Sequence, residues 1–154
     1  MKILMVCLGN ICRSPLAEGI MQRKIQERGL DWEVDSAGTG HWHQGEGPDP
    51  RSVYTANQYG MDISHQRARQ LQSADLDKYD LILAMDHSNY QDILRMAFEE
   101  EQKKKVRMIL DFAYPGEERS VPDPYWDDDG FDKVYHMLEE ACEEVIAAYA
   151  KSHS

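Results

Sequence analysis

The chain has 154 residues, 42% of them hydrophobic, and a formal net charge of −11 at pH 7. That length suits one domain over residues 1–154 with a proper core, undivided by linker, internal repeat or low-complexity tract. The acidic balance disfavours nucleic acid and anionic membrane as partners, and no apolar run is long enough to span a bilayer.

Strand sequence begins almost at Met1, which leaves no room for a signal peptide, so a cytoplasmic location is expected. Ile3-Leu4-Met5-Val6 predicts a buried strand over residues 2–6. From Pro15 to about Arg28 apolar residues recur at helical spacing, with a proline suited to a first turn and Gly29 as the stop signal. Between strand and helix lies Cys7-Leu8-Gly9-Asn10-Ile11-Cys12-Arg13-Ser14. A strand, a tight loop and a helix N-terminus in succession make an anion site, because loop N–H groups converge where the helix adds unsatisfied donors and the positive end of its dipole. A thiol among such donors, beside a fixed cation, favours its nucleophilic thiolate form. Arg13 offers a planar fork that matches two oxygens of a phosphoryl group, and Ser14 can turn its hydroxyl to the sulfur. Cys7 is the candidate nucleophile and Arg13 the candidate phosphate clamp.

Trp32 to Ala37 alternates and predicts a second strand. Residues 38–48 follow as a glycine-rich loop whose one large aromatic, Trp42, is placed to wall a pocket. Asp49-Pro50 then reads as N-cap and first helical residue of a helix reaching Tyr59 and stopping at Gly60. Residues 61–71 are a polar connection with no assignable period. Tyr79–Met85 predicts a third strand, Asp86–Phe98 a helix fraying into the charged run Glu99–Lys105, and Val106–Leu110 a fourth strand. After a second long loop over residues 111–129, Phe131–Ala150 predicts the final helix, its N-terminus capped and charged by Asp127, Asp128 and Asp129. Glu139, Glu140, Glu143 and Glu144 read as its solvated face. Strands alternating with helices predict an α/β fold in three layers, a parallel sheet with helices on both faces. The cysteine loop then lies at the carboxyl edge, where such sheets bind ligands.

Three cysteines, an odd number, argue against a secreted disulfide scaffold. Cys7 and Cys12 have a spacing found in metal sites, but no second ligand pair accompanies them, so no metal is expected. Cys12 is also near enough in sequence to close a reversible disulfide on Cys7 and shield it from overoxidation. Expelling an oxygen leaving group from phosphorus needs a proton donor, and two aspartates share the setting Pro-Asp-Pro: Asp49 and Asp123. Asp49 is accounted for as a helix N-cap. Asp123 is followed by turn-like sequence, and its flanking prolines hold one carboxylate in place on an otherwise free loop. Asp123 is therefore the candidate general acid. Trp42, Tyr125 and Trp126 can form walls deep enough for an aryl phosphate and too deep for a phosphoserine.

The string Val-Cys-Leu-Gly-Asn-Ile-Cys-Arg-Ser-Pro near residue 10, with Asp-Pro-Tyr-Trp at 123–126, resembles the signature of the low-molecular-weight protein-tyrosine phosphatases. The resemblance covers nearly the whole chain and implies a four-stranded sheet in the order 2-1-3-4. It implies Cys7, Arg13 and Asp123 as catalytic residues, and Leu8, Gly9, Asn10, Ile11, Cys12, Ser14, Trp42 and Tyr125 around the substrate. It also implies that Asn10 holds the strained loop, with Ser36 and His65 as its hydrogen-bond partners. The family usually has a second tyrosine where Trp126 stands, which puts tyrosine-based regulation there in doubt.

The expected reaction is phosphoryl transfer from a tyrosine-phosphorylated protein to Cys7, then hydrolysis of the cysteinyl-phosphate, without metal or organic cofactor. Monomer or weak self-association is expected. Three rivals remain. Arsenate reductases with a similar loop need two further mid-chain cysteines, and there is none between Cys12 and Cys142. Phosphoarginine phosphatases of this family carry Thr where this chain has Ile11. A non-catalytic phosphoprotein-binding module predicts loss of Cys7, Arg13 or Asp123, and all three are present.

Overall fold

The computed structural model describes residues 1–126 and 130–150. Strand β1 (Lys2–Cys7) runs between β2 (Glu33–Gly38) and β3 (Leu81–Ala84), and β4 (Val106–Met108) flanks β3, all parallel. The order β2-β1-β3-β4 is the expected one. Both faces of β1 are covered, which explains a continuous apolar run where a half-exposed strand would alternate. Ile3, Met5 and Cys7 face one layer, packed with Leu16 and Ile20 of α1 (Arg13–Glu27), Ala56 of α2 (Pro50–Gln58) and Val134 and Leu138 of α6 (Gly130–Ala150). Leu4 and Val6 face the other, with Leu76 of α3 (Asp75–Lys78) and Ile93 of α4 (His87–Met96). Each Ile, Leu, Val or Met among them contributes about 1.5–3 kcal/mol on burial. A one-residue slip of β1 would exchange the two sets and carry Cys7 to the wrong face.

Several boundaries differ from expectation, β3 among them, which spans Leu81–Ala84 where the pattern predicts Tyr79–Met85. Helix α1 begins at Arg13, two residues before Pro15. Proline is tolerated within a first turn because its absent N–H would have had no helical partner there. The amides of Arg13 and Ser14 thereby join the N-terminal turn that faces the loop. The helix after β3 ends at Met96, and a separate short α5 (Glu100–Lys104) follows. Gln102 starts it by accepting from the Glu99 amide at 3.2 Å, so the charged run is a new element and not a frayed end. β4 stops at Met108, and residues 109–111 turn into a 3-10 helix. Asp127, Asp128 and Asp129 lie outside the described residues, as does the side chain of Trp126. Among the described residues no helix is long and apolar enough to cross a membrane.

Candidate active site

Cys7 ends β1 and Arg13 begins α1, so the anion loop proper is residues 8–12. Its carbonyls are bonded outward: Thr39 N–H donates to Cys7 O at 2.9 Å, Gly40 N–H to Leu8 O at 2.9 Å, and Asp49 N–H to Ile11 O at 2.8 Å. The Ser52 hydroxyl donates to Cys12 O at 3.3 Å. In a trans peptide the following N–H points the opposite way. The amides of Leu8, Gly9, Cys12 and Arg13 therefore face the interior of the loop. β2 lies close enough to serve because Gly38 has no side chain: a Cβ there would meet Leu8 O at 2.7 Å.

Behind the loop, Asn10 occupies the left-handed region at φ 57°, which asparagine tolerates better than most residues. Its Nδ2 donates to Ser14 Oγ at 2.7 Å and to Ser36 Oγ at 3.0 Å, and its Oδ1 accepts from the Arg69 amide at 3.0 Å. Ser14 Oγ receives a hydrogen from Asn10, so its own O–H is available to Cys7 Sγ at 3.0 Å. Ser36 donates onward to Glu18 Oε1 at 2.6 Å. Burial pushes the Glu18 carboxyl up to about 7, helped by Asp35 and opposed by the Ser36 hydroxyl and by Arg69. The expected contact from His65 is not made. Along residues 63–68 it is Ile63, Gln66 and Ala68 that turn inward, which leaves His65 exposed. Gln66 takes the inward place and donates to Pro15 O at 3.1 Å.

Arg13 is 3% exposed. Its Nη1 donates to Asp86 Oδ2 at 2.7 Å and to Val121 O at 3.0 Å. Asp86 also caps α4, accepting the Asn89 amide at 2.7 Å through its other oxygen. One carboxylate thus joins the start of α4 to the Arg13 guanidinium. The guanidinium is held by its Nη1 edge, and its Nη2 lies 3.8 Å from Asp123 Oδ2. Burial alone would lower the Arg13 pKa, but Cys7, Asp86 and Asp123 together raise it above the ordinary value.

The two Pro-Asp-Pro aspartates have separate fates. Asp49 caps α2 through the Arg51 amide at 2.8 Å and takes the Arg51 side chain on both oxygens at 3.0 Å. Burial would raise its carboxyl, but the Arg51 bonds hold it below the usual range, an ion with no proton to give. Asp123 accepts the Tyr125 amide at 3.0 Å through Oδ1 and stands at the wall of a cavity of about 290 Å³. Cys7, Leu8, Gly9, Ile11, Cys12 and Arg13 form the floor and sides of that cavity, and Trp42, His43 and Tyr125 the remaining wall. Trp42 stacks on His41 and is 66% exposed, so it presents an aromatic edge to anything entering. The Cys12 thiol is pushed up to about 12, by burial first and then by Asp49, Cys7 and Asp123. It stays a thiol at neutral pH. Among the described residues no group of His, Cys, Asp and Glu gathers as a metal site would.

A family model described as low molecular weight phosphotyrosine protein phosphatase matches residues 2–154. The chain belongs to this family. A protein named as a putative low molecular weight protein-tyrosine-phosphatase, from Synechocystis, is 43% identical over 154 residues, 98% of each chain. The crystal structure of a protein tyrosine phosphatase from Entamoeba histolytica superposes with a TM-score of 0.92 at 38% identity, covering 100% of this chain and 99% of the other. That of a Drosophila arginine phosphatase superposes with a TM-score of 0.90 at 33% identity, covering 97% and 98%. Reading the sequence of this low molecular weight phosphatase missed three residues at its site: Asp86, Glu18 and His43. Asp86 showed only as a helix start, and Glu18 only as one carboxylate inside an otherwise apolar run, Leu16 to Met21.

Proposed function

We propose that the chain hydrolyses phosphotyrosine in proteins through a cysteinyl-phosphate on Cys7. The observation that carries this reading is the buried Arg13 fork beside Cys7, fixed by Asp86 and the Val121 carbonyl and with its Nη2 3.8 Å from Asp123 Oδ2 at the cavity wall. The phosphoryl group sits among the loop amides, with Arg13 on two of its oxygens. The Cys7 thiolate attacks phosphorus as the bond to the tyrosyl oxygen breaks, and Asp123 supplies the proton to that oxygen. Water, deprotonated by Asp123, then attacks the cysteinyl-phosphate, expels the Cys7 thiolate and releases phosphate. Ser14 offers a hydroxyl donor to that thiolate as it forms.

A second reading, hydrolysis of phosphoarginine, is favoured by the likeness to the Drosophila arginine phosphatase. Ile11 argues against it. Its apolar side chain lines the cavity and offers no hydrogen-bond acceptor to a guanidinium. The test is turnover of a phosphotyrosine peptide beside a phosphoarginine peptide, by wild type and Cys7→Ser, in EDTA. Phosphotyrosine turnover abolished in Cys7→Ser is expected. A preference for phosphoarginine would overturn the substrate, and binding without turnover would overturn the reaction.

A further inference from the structure

We propose that Arg51 is a positioning residue for the proton donor. It clasps the loop that carries Asp123 to the anion loop that carries Cys7, and so sets how the two stand to each other. The inference rests on the proposed phosphatase reaction, with Asp123 as its acid, for the kinetic readout alone.

Arg51 stands in the first turn of α2, where a cation meets the positive end of the helix dipole and gains nothing from it. Asp49 holds it there, taking Nε on one carboxylate oxygen and Nη2 on the other, each at 3.0 Å. This turn is itself fastened to the anion loop. The Asp49 amide donates to Ile11 O at 2.8 Å, and the Ser52 hydroxyl donates to Cys12 O at 3.3 Å. The guanidinium therefore has a fixed place relative to the loop that bears Cys7. From that place its central carbon lies over two rings, 4.8 Å from the centroid of Phe131 and 5.4 Å from that of Tyr125, within reach of a cation–π contact. Phe131, in the first turn of α6, packs with Ile11 and Cys12 and so belongs to the fixed side. Tyr125 belongs to the Asp123 loop.

The Tyr125 amide donates to Asp123 Oδ1 at 3.0 Å, which makes the ring and the carboxylate parts of one turn. Upstream the loop is anchored at Val121, whose N–H donates to Met85 O at 2.7 Å and whose carbonyl accepts from Arg13. Pro122 and Pro124 restrict the backbone between that anchor and Tyr125. A ring held by Arg51 thus holds the carboxylate. The Asp123 side chain is 40% exposed, so it depends on such anchors more than on its own packing. A displacement of about 1 Å at a reacting group costs about 10²-fold in rate. Lysine is no substitute for arginine here, because an ammonium has no flat fork to take two carboxylate oxygens while lying over a ring.

The test compares kcat/KM on phenyl phosphate and on p-nitrophenyl phosphate in wild type, Arg51→Met and Arg51→Lys. The two substrates are close in size, but phenol needs a proton as it leaves and p-nitrophenol hardly does, so a misplaced donor is felt on the first. Both variants are expected to lose about tenfold or more on phenyl phosphate and less than about threefold on p-nitrophenyl phosphate. Equal losses on the two substrates would overturn the proposal, because Arg51 would then serve folding or binding. So would full activity in Arg51→Lys, because charge alone would then suffice. Beside the kinetics, NMR of wild type is expected to show a nuclear Overhauser effect between the Arg51 side chain and the Tyr125 ring, a result that needs no variant to fold and no turnover. Its absence would overturn the proposal. In Arg51→Met the backbone order parameters of residues 123 and 125 are expected to fall from about 0.85 to below about 0.6 while those of residues 8–13 hold; unchanged order at 123 and 125 would also overturn it. A wild type that turns over neither substrate, yet gives these NMR results, would sink the phosphatase reading and keep this one.

Discussion

Asp49 and Asp123 sit in the same tripeptide, and the difference between them is Arg51. It occupies both oxygens of Asp49, whereas Asp123 is steadied by the Tyr125 amide and turns its other oxygen toward Arg13. If Asp123 is the proton donor, Asp123→Asn should lower kcat on a phosphotyrosine peptide by about 10²–10⁴-fold. The loss on p-nitrophenyl phosphate should be smaller, because that leaving group departs with little protonation. Equal losses would assign Asp123 to binding. Cys12, buried in the same loop as Cys7, keeps its proton at neutral pH. Peroxide converts the Cys7 thiolate to a sulfenate with loss of water, and the Cys12 sulfur can then displace hydroxide to close a disulfide. Mass spectrometry after mild peroxide should find Cys7 joined to Cys12; sulfonic acid on Cys7 alone would contradict this.

Elements legible in the sequence were those with local causes. Gly29 takes φ 60° just past α1, and Asp49-Pro50 starts α2, both as composition indicates. The anion loop was equally legible, because Cys7 to Ser14 is contiguous. What stayed hidden depends on chain segments that meet only in the fold. The 61–71 connection has no period, yet Arg69 and Gln70 pair with Gly38 at the end of β2, which brings the Arg69 amide to Asn10. In the same connection Gln66 is buried and His65 exposed, a choice that adjacent residues cannot reveal. Asp86 is the clearest dual case, cap of α4 and anchor of Arg13. Asp86→Ala should lower both the urea midpoint and kcat, the cap alone accounting for about 0.5–2 kcal/mol. Asp86→Asn, which can still cap, should recover much of the stability; equal destabilisation by the two variants would contradict the dual role.

At the scale of the molecule, the acidic surplus is partly structural. Glu139 and Glu143, read from sequence as a solvated face, bind Lys24, and Glu143 also binds Arg28, fastening α6 to α1. Burial would lower the Lys24 pKa, but these two carboxylates raise it. The remaining charge still opposes an anionic phosphopeptide at long range. Hence kcat/KM for an acidic phosphopeptide should rise as sodium chloride goes from about 0.01 to 0.15 M, where the Debye length falls from about 30 to 8 Å. A fall would mean that attraction by the loop and Arg13 governs encounter as well as binding. The most direct test of the whole account is an acid quench of wild type turning over a phosphate-labelled phosphotyrosine peptide, followed by mapping of the label. The account predicts label on Cys7 and none in Cys7→Ser. Label on another residue, or turnover with no covalent label at any quench time, would contradict it.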